Sequence, residues 1–390
     1  MKIWIHSPFD NLPQEGFRKQ RYWLMAEAFA AAGHDVVYWT ADFNHGTKAP
    51  RCLAGGFVSP PRIALRLVPT SGYERNVSLR RIWSHVLYAR RLASAGAALV
   101  ATDAVHRPDV VISATPTLGA ARSAFRLARR YGATFVLDMQ DAWPETFYRL
   151  LPRVCRPLGA LLLAPMHACA RRLYREADLV SGVSRRYGEI ARRADFMLAY
   201  HGLACPDEPV EASAGNGVPT RLAYAGNLGE GYDLETVLEA VVRDGRLTLD
   251  IAGKGPREPS LRAQVTRLGL SERVRFHGYL AAADLRALLD RCDVGIVPMR
   301  DDSWVGLPYK LGDYLAAGLK VVSSLHGECA ELLERARLGS VYDFGSADSL
   351  LRALASLPGG AVRLPDELRA ERIYPRYVEL VERLVKENRK

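Results

Sequence analysis

The strongest constraint on the fold of this chain is a repeated alternation of strand-like and helix-like segments. Short β-branched runs, such as Lys2–His6 and Asp35–Thr40, alternate with helical patterns as far as Leu179–Val183, and the alternation restarts at Arg221–Tyr224. Strands that alternate with helices are typical of parallel sheets covered by helices on both faces. We therefore predict an α/β protein made of two doubly wound, Rossmann-like domains.

A polar segment rich in proline and glycine, residues 202–220, interrupts this alternation and predicts a linker. The predicted domains are residues 1–201 and 221–373, and a helical pattern over 374–390 is expected to pack back on the first of them. A chain of 390 residues is too long for one ordinary core, which agrees with this division. Two such domains are expected to face each other across a cleft, with ligands at the carboxyl ends of their strands.

The segment from 299 to 324 carries the clearest functional pattern. A turn containing Gly306 and Pro308 precedes an amphipathic helix, and Lys310 and Asp313 share one face near the start of that helix. Free N–H groups and the helix dipole favour a phosphate there, and a carboxylate one turn further on can accept hydrogen bonds from sugar hydroxyls. The pattern suits a nucleotide diphosphate with its ribose. An ordinary helix with one surface Lys and one surface Asp has the same pattern.

The net charge of +10 is concentrated in the first half of the chain. Residues 1–200 hold 28 Lys and Arg against 15 Asp and Glu, whereas residues 201–390 hold 25 against 28. This asymmetry favours a polyanionic partner for the first half, either nucleic acid or an anionic membrane surface. Arginine pairs beside Trp, Tyr and Leu in Leu79–Leu92 and Leu150–Arg175 suit helices that lie on an anionic leaflet. The alternative is a solvated helix face with ordinary core contacts.

The cysteines and the lack of a long apolar run bear on localisation. No cysteine pair has C-x-x-C spacing, which predicts a reducing compartment and no metal site. No run approaches the roughly 20 apolar residues of a membrane span, and the start MKIWIHSPFD is typical of a strand, not of a signal peptide. We predict a cytoplasmic protein that is at most peripheral on the inner membrane. The cysteines are Cys52, Cys155, Cys169, Cys205, Cys292 and Cys329.

Seven segments are informative as a set, through their order and spacing: Gly16–Thr40, Asp138–Glu145, Ala177–Ser184, Tyr224–Ala240, Asp250–Pro256, Arg273–Pro298 and Gly306–Val322. Together they resemble the retaining glycosyltransferases of family 4, which have the GT-B fold, and within them the branch that builds bacterial surface polysaccharides such as O-antigen or capsule. The resemblance implies transfer of a hexosyl or N-acetylhexosaminyl group from a UDP- or GDP-linked sugar to a saccharide or lipid-diphosphate acceptor, with retention of configuration. It implies no cofactor, and without a D-x-D motif we expect no metal requirement.

The resemblance also assigns donor-binding side chains in the second domain. Asp313 matches the second acidic position of the family's E-x7-E motif, which holds the ribose, whereas the first acidic position falls on Val305. In the family, an Arg and a Lys bind the diphosphate. In this chain the position of the Arg is Asn227, and the position of the Lys falls near Tyr232. Lys310 and Lys254 are therefore the cations left to neutralise the diphosphate.

Backbone groups complete the donor site that the resemblance implies. The glycines of the GNLG turn that starts at Gly226 would let the backbone approach the phosphates closely. The turn at His277 would face the base, and Gly306 and Leu307 would contribute next to the helix start. Gly16, in the loop after the first strand, would bring a further N–H to the diphosphate.

In the first domain, the segment DMQDAWPE places two carboxylates at the end of a predicted strand. Asp138 and Asp141 are the acceptor-side candidates, and Asp141 is expected to position the acceptor hydroxyl or to accept its proton. The alternative for Asp141 is a cap for the turn at Trp143-Pro144. Retention in the family is thought to rely on the leaving phosphate, so Lys310 would act in catalysis by stabilising the departing diphosphate.

Three other functions compete with this interpretation. A dinucleotide-binding dehydrogenase has G-x-G-x-x-G after its first strand, where this chain has one glycine, Gly16. The basic first half lacks interleaved aromatic stacking positions and the second half is acidic, so we expect no nucleic-acid partner. A GT-B-fold nucleotide-sugar epimerase would share the nucleotide site but would need catalytic acids and no acceptor surface.

Overall fold

The computed structural model describes residues 1–51, 60–150, 153–203 and 221–389. From residue 204 onward the predicted linker lies outside these ranges, as do Cys52 and Cys205. The chain divides into two compact units, one formed by Met1–Gly202 with Ala370–Lys390 and the other by Leu203–Arg369. Within the described residues, no helix is both long and apolar enough to cross a membrane.

The first unit is built on a parallel sheet. Its strands are β1 (Lys2–His6), β2 (Asp35–Ala41), β3 (Ile63–Val68), β4 (Val110–Thr115), β5 (Thr134–Met139), β6 (Leu179–Gly182) and β7 (Met197–Leu198). They lie in the order β3-β2-β1-β4-β5-β6-β7. Every residue of β4 and β5 is buried, as expected for central strands covered on both faces.

Helices pack against this sheet through their apolar faces. They are α1 (Arg21–Ala31), α2 (Leu79–Thr102), α3 (Leu118–Tyr131), α4 (Arg156–Glu176) and α5 (Arg185–Ala191). α2 begins after Ser78, whose side chain accepts a hydrogen bond from the Arg81 N–H, and α3 ends at Gly132 in the left-handed conformation. These caps explain why the helices begin and end close to the positions that the sequence pattern predicts.

The second unit repeats the same architecture on a second parallel sheet. Its strands are β8 (Arg221–Ala225), β9 (Thr248–Ala252), β10 (Val274–Gly278), β11 (Val294–Val297), β12 (Lys320–Ser323) and β13 (Gly339–Val341). They lie in the order β10-β9-β8-β11-β12-β13. The core of this unit is a cluster of buried aliphatic residues on β8, β9, β11 and the flanking helices.

Apart from α5, the helices of the first unit are longer than those of the second. The helices of the second unit are α6 (Leu234–Arg243), α7 (Glu258–Arg267), α8 (Ala282–Leu289), α9 (Tyr309–Ala316), α10 (Glu328–Arg335) and α11 (Ala347–Ala355). The final helix, α12 (Ala370–Asn388), belongs to the first unit, where His34 Nε2 lies 2.8 Å from Glu382 Oε1. The structure adds β3, β7, β13, α5, α7, α10 and α11 to the elements that the sequence pattern predicts.

Candidate functional site

Both sheets have a point at which the strand order reverses, between β1 and β4 in the first unit and between β8 and β11 in the second. The connections that follow the two strands at such a point run in opposite directions, so a crevice opens at the carboxyl ends of these strands. Doubly wound sheets bind their ligands in this crevice. In the second unit, the turn that starts at Gly226 follows β8, and the segment that leads into α9 follows β11. This edge is the candidate site of the second unit.

Two glycines bring the turns after β8 and β9 into direct backbone contact. The Gly226 N–H donates to the Ala252 carbonyl at 2.9 Å, and the Leu228 N–H donates to the Lys254 carbonyl at 3.0 Å. Gly226 and Gly253 have φ angles of 146° and 149°, which residues with a Cβ rarely adopt. A methyl group on Gly253 would overlap the Gly226 carbonyl oxygen, so this contact requires glycine.

Lys310, in the first turn of α9, carries a buried amine to this edge. The residue is 7% exposed, and its Nζ lies 4.0 Å from the ring centroid of Tyr224 and 3.8 Å from that of Tyr232. Among the described residues, this nitrogen has no hydrogen-bond partner. A Cβ on Gly226 would lie only 2.9 Å from Nζ, so the amine takes this position because residue 226 is glycine.

The charge of Lys310 is not compensated in the usual way. Burial lowers the pKa of the amine well below its usual value, and the carboxylate of Asp313 opposes this shift only in part. A diphosphate at the start of α9 would supply a strong acceptor and the missing negative charge. The arrangement can therefore hold an anionic group and stabilise charge that develops on it.

Alanine at position 226 is expected to lower the affinity for a nucleotide sugar by about tenfold or more, because the new methyl group would crowd the Lys310 amine and displace it. The backbone angle at this position also predicts a loss of stability of about 1–3 kcal/mol. Gly231→Ala is the matched control, since a Cβ there meets no atom within 4 Å. Calorimetric titration with UDP-glucose and thermal melts measure both effects. A folded Gly226→Ala protein with wild-type affinity would contradict the assignment.

The segment before α9 carries the other predicted positions of the motif. Pro308 is the extended residue that precedes the helix, with φ −76° and ψ 148°. Asp313 is half-buried, one turn from the start of the helix, on the face predicted for the ribose contact. Val305 is 39% exposed and, as the sequence indicates, supplies no carboxylate. The E-x7-E motif is thus represented by Asp313 alone.

The other predicted donor-binding residues differ in accessibility. Asn227 and Lys254 are exposed, Gly306 is half-buried, and Leu307 is buried at 5% exposure. The imidazole of His277 is engaged within the second unit, since its Nε2 lies 2.6 Å from Asp250 Oδ1. The proposed contact of this turn with the base therefore rests on its backbone.

Tyrosines are the part of this site that sequence reasoning missed. The hydroxyl of Tyr314 accepts from the Ala225 N–H at 2.7 Å and donates to the Ile296 carbonyl at 3.2 Å. It therefore ties α9 to β8 and β11 at the point where the strand order reverses. Tyr224 and Tyr232, whose rings contact the Lys310 amine, lie in the segment Tyr224–Ala240. Nothing in the sequence around them predicts this contact with a distant lysine.

Asp138 is a correction to the predicted acceptor side. Its carboxylate is fully buried and forms a bidentate ion pair with the equally buried guanidinium of Arg21, with both N–O distances 2.8 Å. The hydroxyls of Tyr22 and Ser181 donate to the same carboxylate at 2.7 and 2.6 Å. With its oxygens used inside the first unit, Asp138 has no surface with which to meet an acceptor. Its role is structural.

The backbone of Gly16 is a second correction. Gly16 ends a short 3-10 helix with φ 79°, and its N–H donates to the Pro13 carbonyl at 3.0 Å. The predicted contact between this N–H and a diphosphate is therefore replaced by a local cap.

Asp141 lies at the carboxyl edge of the first sheet, after β5. One carboxylate oxygen accepts from the indole N–H of Trp143 at 3.2 Å, and the other accepts from the Thr146 hydroxyl at 3.0 Å. These bonds fit the turn-capping alternative. Burial raises the pKa of Asp141, against the effect of these hydrogen bonds.

A cluster of aromatic and cationic residues beside Asp141 did not emerge from the sequence. The Arg81 guanidinium lies 5.7 Å from the Tyr73 ring centroid and 6.0 Å from that of Trp143. The Lys48 amine lies 5.3 Å from the Tyr73 ring centroid, and the His85 ring packs against both Tyr73 and Trp143. These residues come from four separate loops and helices, so no local motif indicates that they meet.

Solved structures share the fold of the whole chain. Sucrose-phosphate synthase from Thermosynechococcus elongatus is 14% identical with a TM-score of 0.66, and the match covers 99% of this chain and 96% of that one. HepE from Anabaena, solved in complex with UDP-glucose, is 14% identical with a TM-score of 0.59 over 100% and 98% of the two chains. The predicted fold class, two doubly wound domains of the GT-B type, is confirmed.

Two of the curated relatives are named for the synthesis of a polysaccharide, colanic acid. WcaL from Salmonella typhimurium, named as a colanic acid biosynthesis glycosyltransferase, is 25% identical over 207 residues, which cover 46% of this chain and 51% of the relative. The match thus spans about half the length of this relative. WcaI from Escherichia coli, also named for colanic acid biosynthesis, is 27% identical over 343 residues, or 80% of each chain.

Two family models match successive parts of the chain. The glycosyl transferase 4-like domain matches residues 19–199, and the glycosyl transferases group 1 model matches residues 219–358. Together these matches leave only short stretches at the ends and between the two regions. The chain therefore matches a glycosyl transferase 4-like domain in its first half and a glycosyl transferases group 1 domain in its second half.

Proposed function

We propose that the protein transfers a hexosyl or N-acetylhexosaminyl group from a nucleotide-diphosphate sugar to a saccharide or lipid-linked acceptor in the synthesis of a bacterial surface polysaccharide. The observation that carries the proposal is the buried Lys310 amine at the start of α9, which lies beside the glycine turn after β8 and has no hydrogen-bond partner in the described residues. The family matches and the relatives named for colanic acid biosynthesis support the same activity.

The proposed donor is UDP- or GDP-linked. The fold likeness to HepE, whose structure was solved with UDP-glucose, supports UDP as the first nucleotide to test. Lys310 and the first N–H groups of α9 would take the diphosphate, and Asp313 would accept hydrogen bonds from the ribose. Lys254 and Asn227, both exposed at the same edge, would add contacts to the phosphates.

The proposed mechanism retains the anomeric configuration. The bond between the sugar and the diphosphate breaks while the acceptor oxygen attacks the same face, and the departing phosphate takes the proton of that hydroxyl. Lys310 and the helix dipole would stabilise the negative charge that builds up on the leaving group. No step here draws on a cofactor or a metal, and the lack of a metal requirement stays a prediction.

A screen of UDP- and GDP-sugars tests the proposed activity. Slow hydrolysis of one donor, with release of its nucleoside diphosphate, is the expected result without an acceptor. Formation of an epimer would favour the GT-B epimerase instead. If no nucleotide sugar binds or turns over, the proposed function is wrong. Analysis of the anomeric configuration of the product decides between retention and inversion.

Asp141 is proposed to orient the acceptor hydroxyl from the first unit. Its carboxylate lies at the carboxyl edge of the sheet and is held by Trp143 and Thr146, which would fix its direction. If an Asp141→Asn protein binds the donor normally and also keeps full transfer activity, Asp141 does not orient the acceptor.

The first unit is proposed to lie on the anionic cytoplasmic face of a membrane. Leu79, Ile82 and Trp83 at the start of α2 are 85%, 61% and 54% exposed, next to Arg80 and Arg81. Exposed apolar side chains beside arginines suit the interface of an anionic leaflet.

Liposome sedimentation tests this surface. We expect binding to vesicles with anionic lipid that falls with added salt, and loss of about tenfold in partitioning when Ile82 and Trp83 are both changed to serine. Val105→Ser is a control, because Val105 is 62% exposed but lies beyond the far end of α2. Equal partitioning of the double variant and the wild type would contradict the proposed surface.

A further inference from the structure

We propose that the first unit contains an acceptor subsite for an anionic saccharide, formed by Lys48, Tyr73, Arg81, His85 and Trp143. The inference rests on the proposed function and adds the chemical class of the acceptor. It concerns only residues of the first unit, so it can fail while the donor site of the second unit stands.

The subsite lies where a doubly wound sheet binds its ligands. The strand order of the first sheet reverses between β1 and β4. Pro8 and Phe9 follow β1, Thr117 follows β4, and all three line a recess at this edge together with Tyr73 and His85. The recess therefore opens at the position in the first sheet that corresponds to the Lys310 site in the second.

The recess is small, and its exposed surface is apolar. Its free volume is about 10 Å³, enough for one water-sized group and not for a sugar ring. Tyr88 and Thr117 are among the residues that line it, and their buried hydroxyls have no hydrogen-bond partner among the described residues. The polar part of a ligand would therefore meet the cations beside the recess.

Two cations flank the recess without a carboxylate to pair with. Neither Lys48 nor Arg81 forms an ion pair within the described part of the chain. Arg81 instead donates to the Asn76 carbonyl at 2.6 Å and to His85 Nε2 at 3.4 Å. The backbone of Lys48 has φ 59°, an uncommon angle for lysine that is often found at functional sites.

The histidines of the cluster do not add to its charge. Burial is the main cause that lowers the pKa of His45 to about 3, and the charges of Lys48 and Arg81 add to it. Burial and the charge of Arg81 likewise lower the pKa of His85 to about 3. Both rings are therefore neutral near pH 7, and the positive charge belongs to Lys48 and Arg81. These two side chains match a carboxylate or a phosphate.

Aromatic rings provide the apolar part of the subsite. Phe9 and Trp143 are half-buried, and Trp143 is held edge-on by Phe147 with ring centroids 4.6 Å apart. Rings fixed in this way can pack against the apolar face of a sugar. The combination of ring faces and two cations points to a sugar that carries an acidic group.

Ligand-observed NMR on the full chain, with UDP present to occupy the second unit, tests the subsite. The probes are methyl glucuronide, N-acetylglucosamine 1-phosphate and, as the neutral reference, methyl glucoside. We expect at least one charged probe to bind about tenfold more tightly than the neutral one, and Lys48→Gln with Arg81→Gln to abolish this preference. Arg80→Gln is the matched control, because Arg80 is the preceding residue and its exposed side chain lies 3.9 Å from Glu74.

Each outcome supports or overturns the subsite. Preference for the phosphate probe alone indicates a lipid-diphosphate acceptor, and preference for the glucuronide indicates an acidic sugar in the acceptor chain. Equal binding of charged and neutral probes, or a preference that survives the double substitution, would overturn the inference. Failure of UDP itself to bind would contradict the proposed function and is detected separately in the same samples.

Discussion

Replacing Asp138 by alanine is expected to lower the free energy of unfolding by about 3–5 kcal/mol, because the change leaves the Arg21 guanidinium buried and charged without its partner. Both side chains of this pair are fully buried. Arg21 also donates to the carbonyls of Ala199 and Tyr200 at 2.7 and 2.9 Å, so it cannot turn outward without breaking these bonds. The pair therefore connects α1, β5 and the end of the first unit.

Urea unfolding followed by circular dichroism measures this effect. Asp35→Ala is the matched control, since Asp35 also pairs with cations but its side chain is half exposed, and a change below about 1 kcal/mol is expected. A similar small change for Asp138→Ala would contradict the structural role and reopen its assignment to the acceptor.

The same pair gives a pH dependence of stability. Burial alone would raise the pKa of Asp138, but the charge of Arg21 and the hydrogen bonds outweigh it, so the folded pKa lies below the usual value. A depressed carboxylate pKa contributes stability that is present above the unfolded pKa of about 4 and is lost as the pH falls through the folded pKa. Asp138→Ala should therefore flatten the acid limb of the stability curve.

Binding of a nucleotide-diphosphate sugar is expected to take up a proton at Lys310. The amine lies between Tyr224 and Tyr232, whose pKa values are raised, and Asp313 is the charged group that favours its protonated form. In the free protein the lowered pKa leaves the amine neutral once the pH exceeds it, whereas a bound diphosphate favours the ammonium. Affinity should then fall by up to about tenfold per pH unit above the free pKa.

Calorimetry with UDP-glucose in buffers of different ionisation enthalpy measures the proton count. UDP-glucose suits the test because its diphosphate is a diester and does not titrate near neutral pH. Lys310→Met should weaken binding by at least about tenfold and abolish the pH dependence, whereas Lys254→Met, which changes an exposed lysine at the same edge, should keep it. Proton uptake that persists in Lys310→Met would assign the effect to another group.

The sheets were predictable because β-branched runs and helical patterns alternate, and the strand β1 has the expected bounds. β13 was missed because Gly339–Val341 is short and lies beyond the last matched segment. β3 was missed because Ile63–Val68 mixes exposed and buried positions without the pattern of a central strand. Local propensity carries little information about such edge elements.

The residues of the site could be predicted only where a single segment contains the side chains that act together. Lys310 and Asp313 share a helix face by spacing alone, and that prediction needs no partner. Asp138 was misassigned because its ion-pair partner, Arg21, is 117 residues away in sequence, so the strand-end pattern alone suggests an accessible carboxylate. The tyrosines around Lys310 and the cluster around Tyr73 likewise depend on contacts between distant segments.

Hydrogen exchange of the wild-type protein with and without UDP-glucose or another accepted donor tests the central claim most directly. We predict that the donor slows exchange in the turns at 226–229 and 253–255 and at 306–313, the start of α9, while leaving β12 and α11 unchanged. Protection at these segments that is lost in Lys310→Met would place the diphosphate on the buried amine. A bound donor that protects other segments and leaves these three unchanged would contradict the assignment of the nucleotide site.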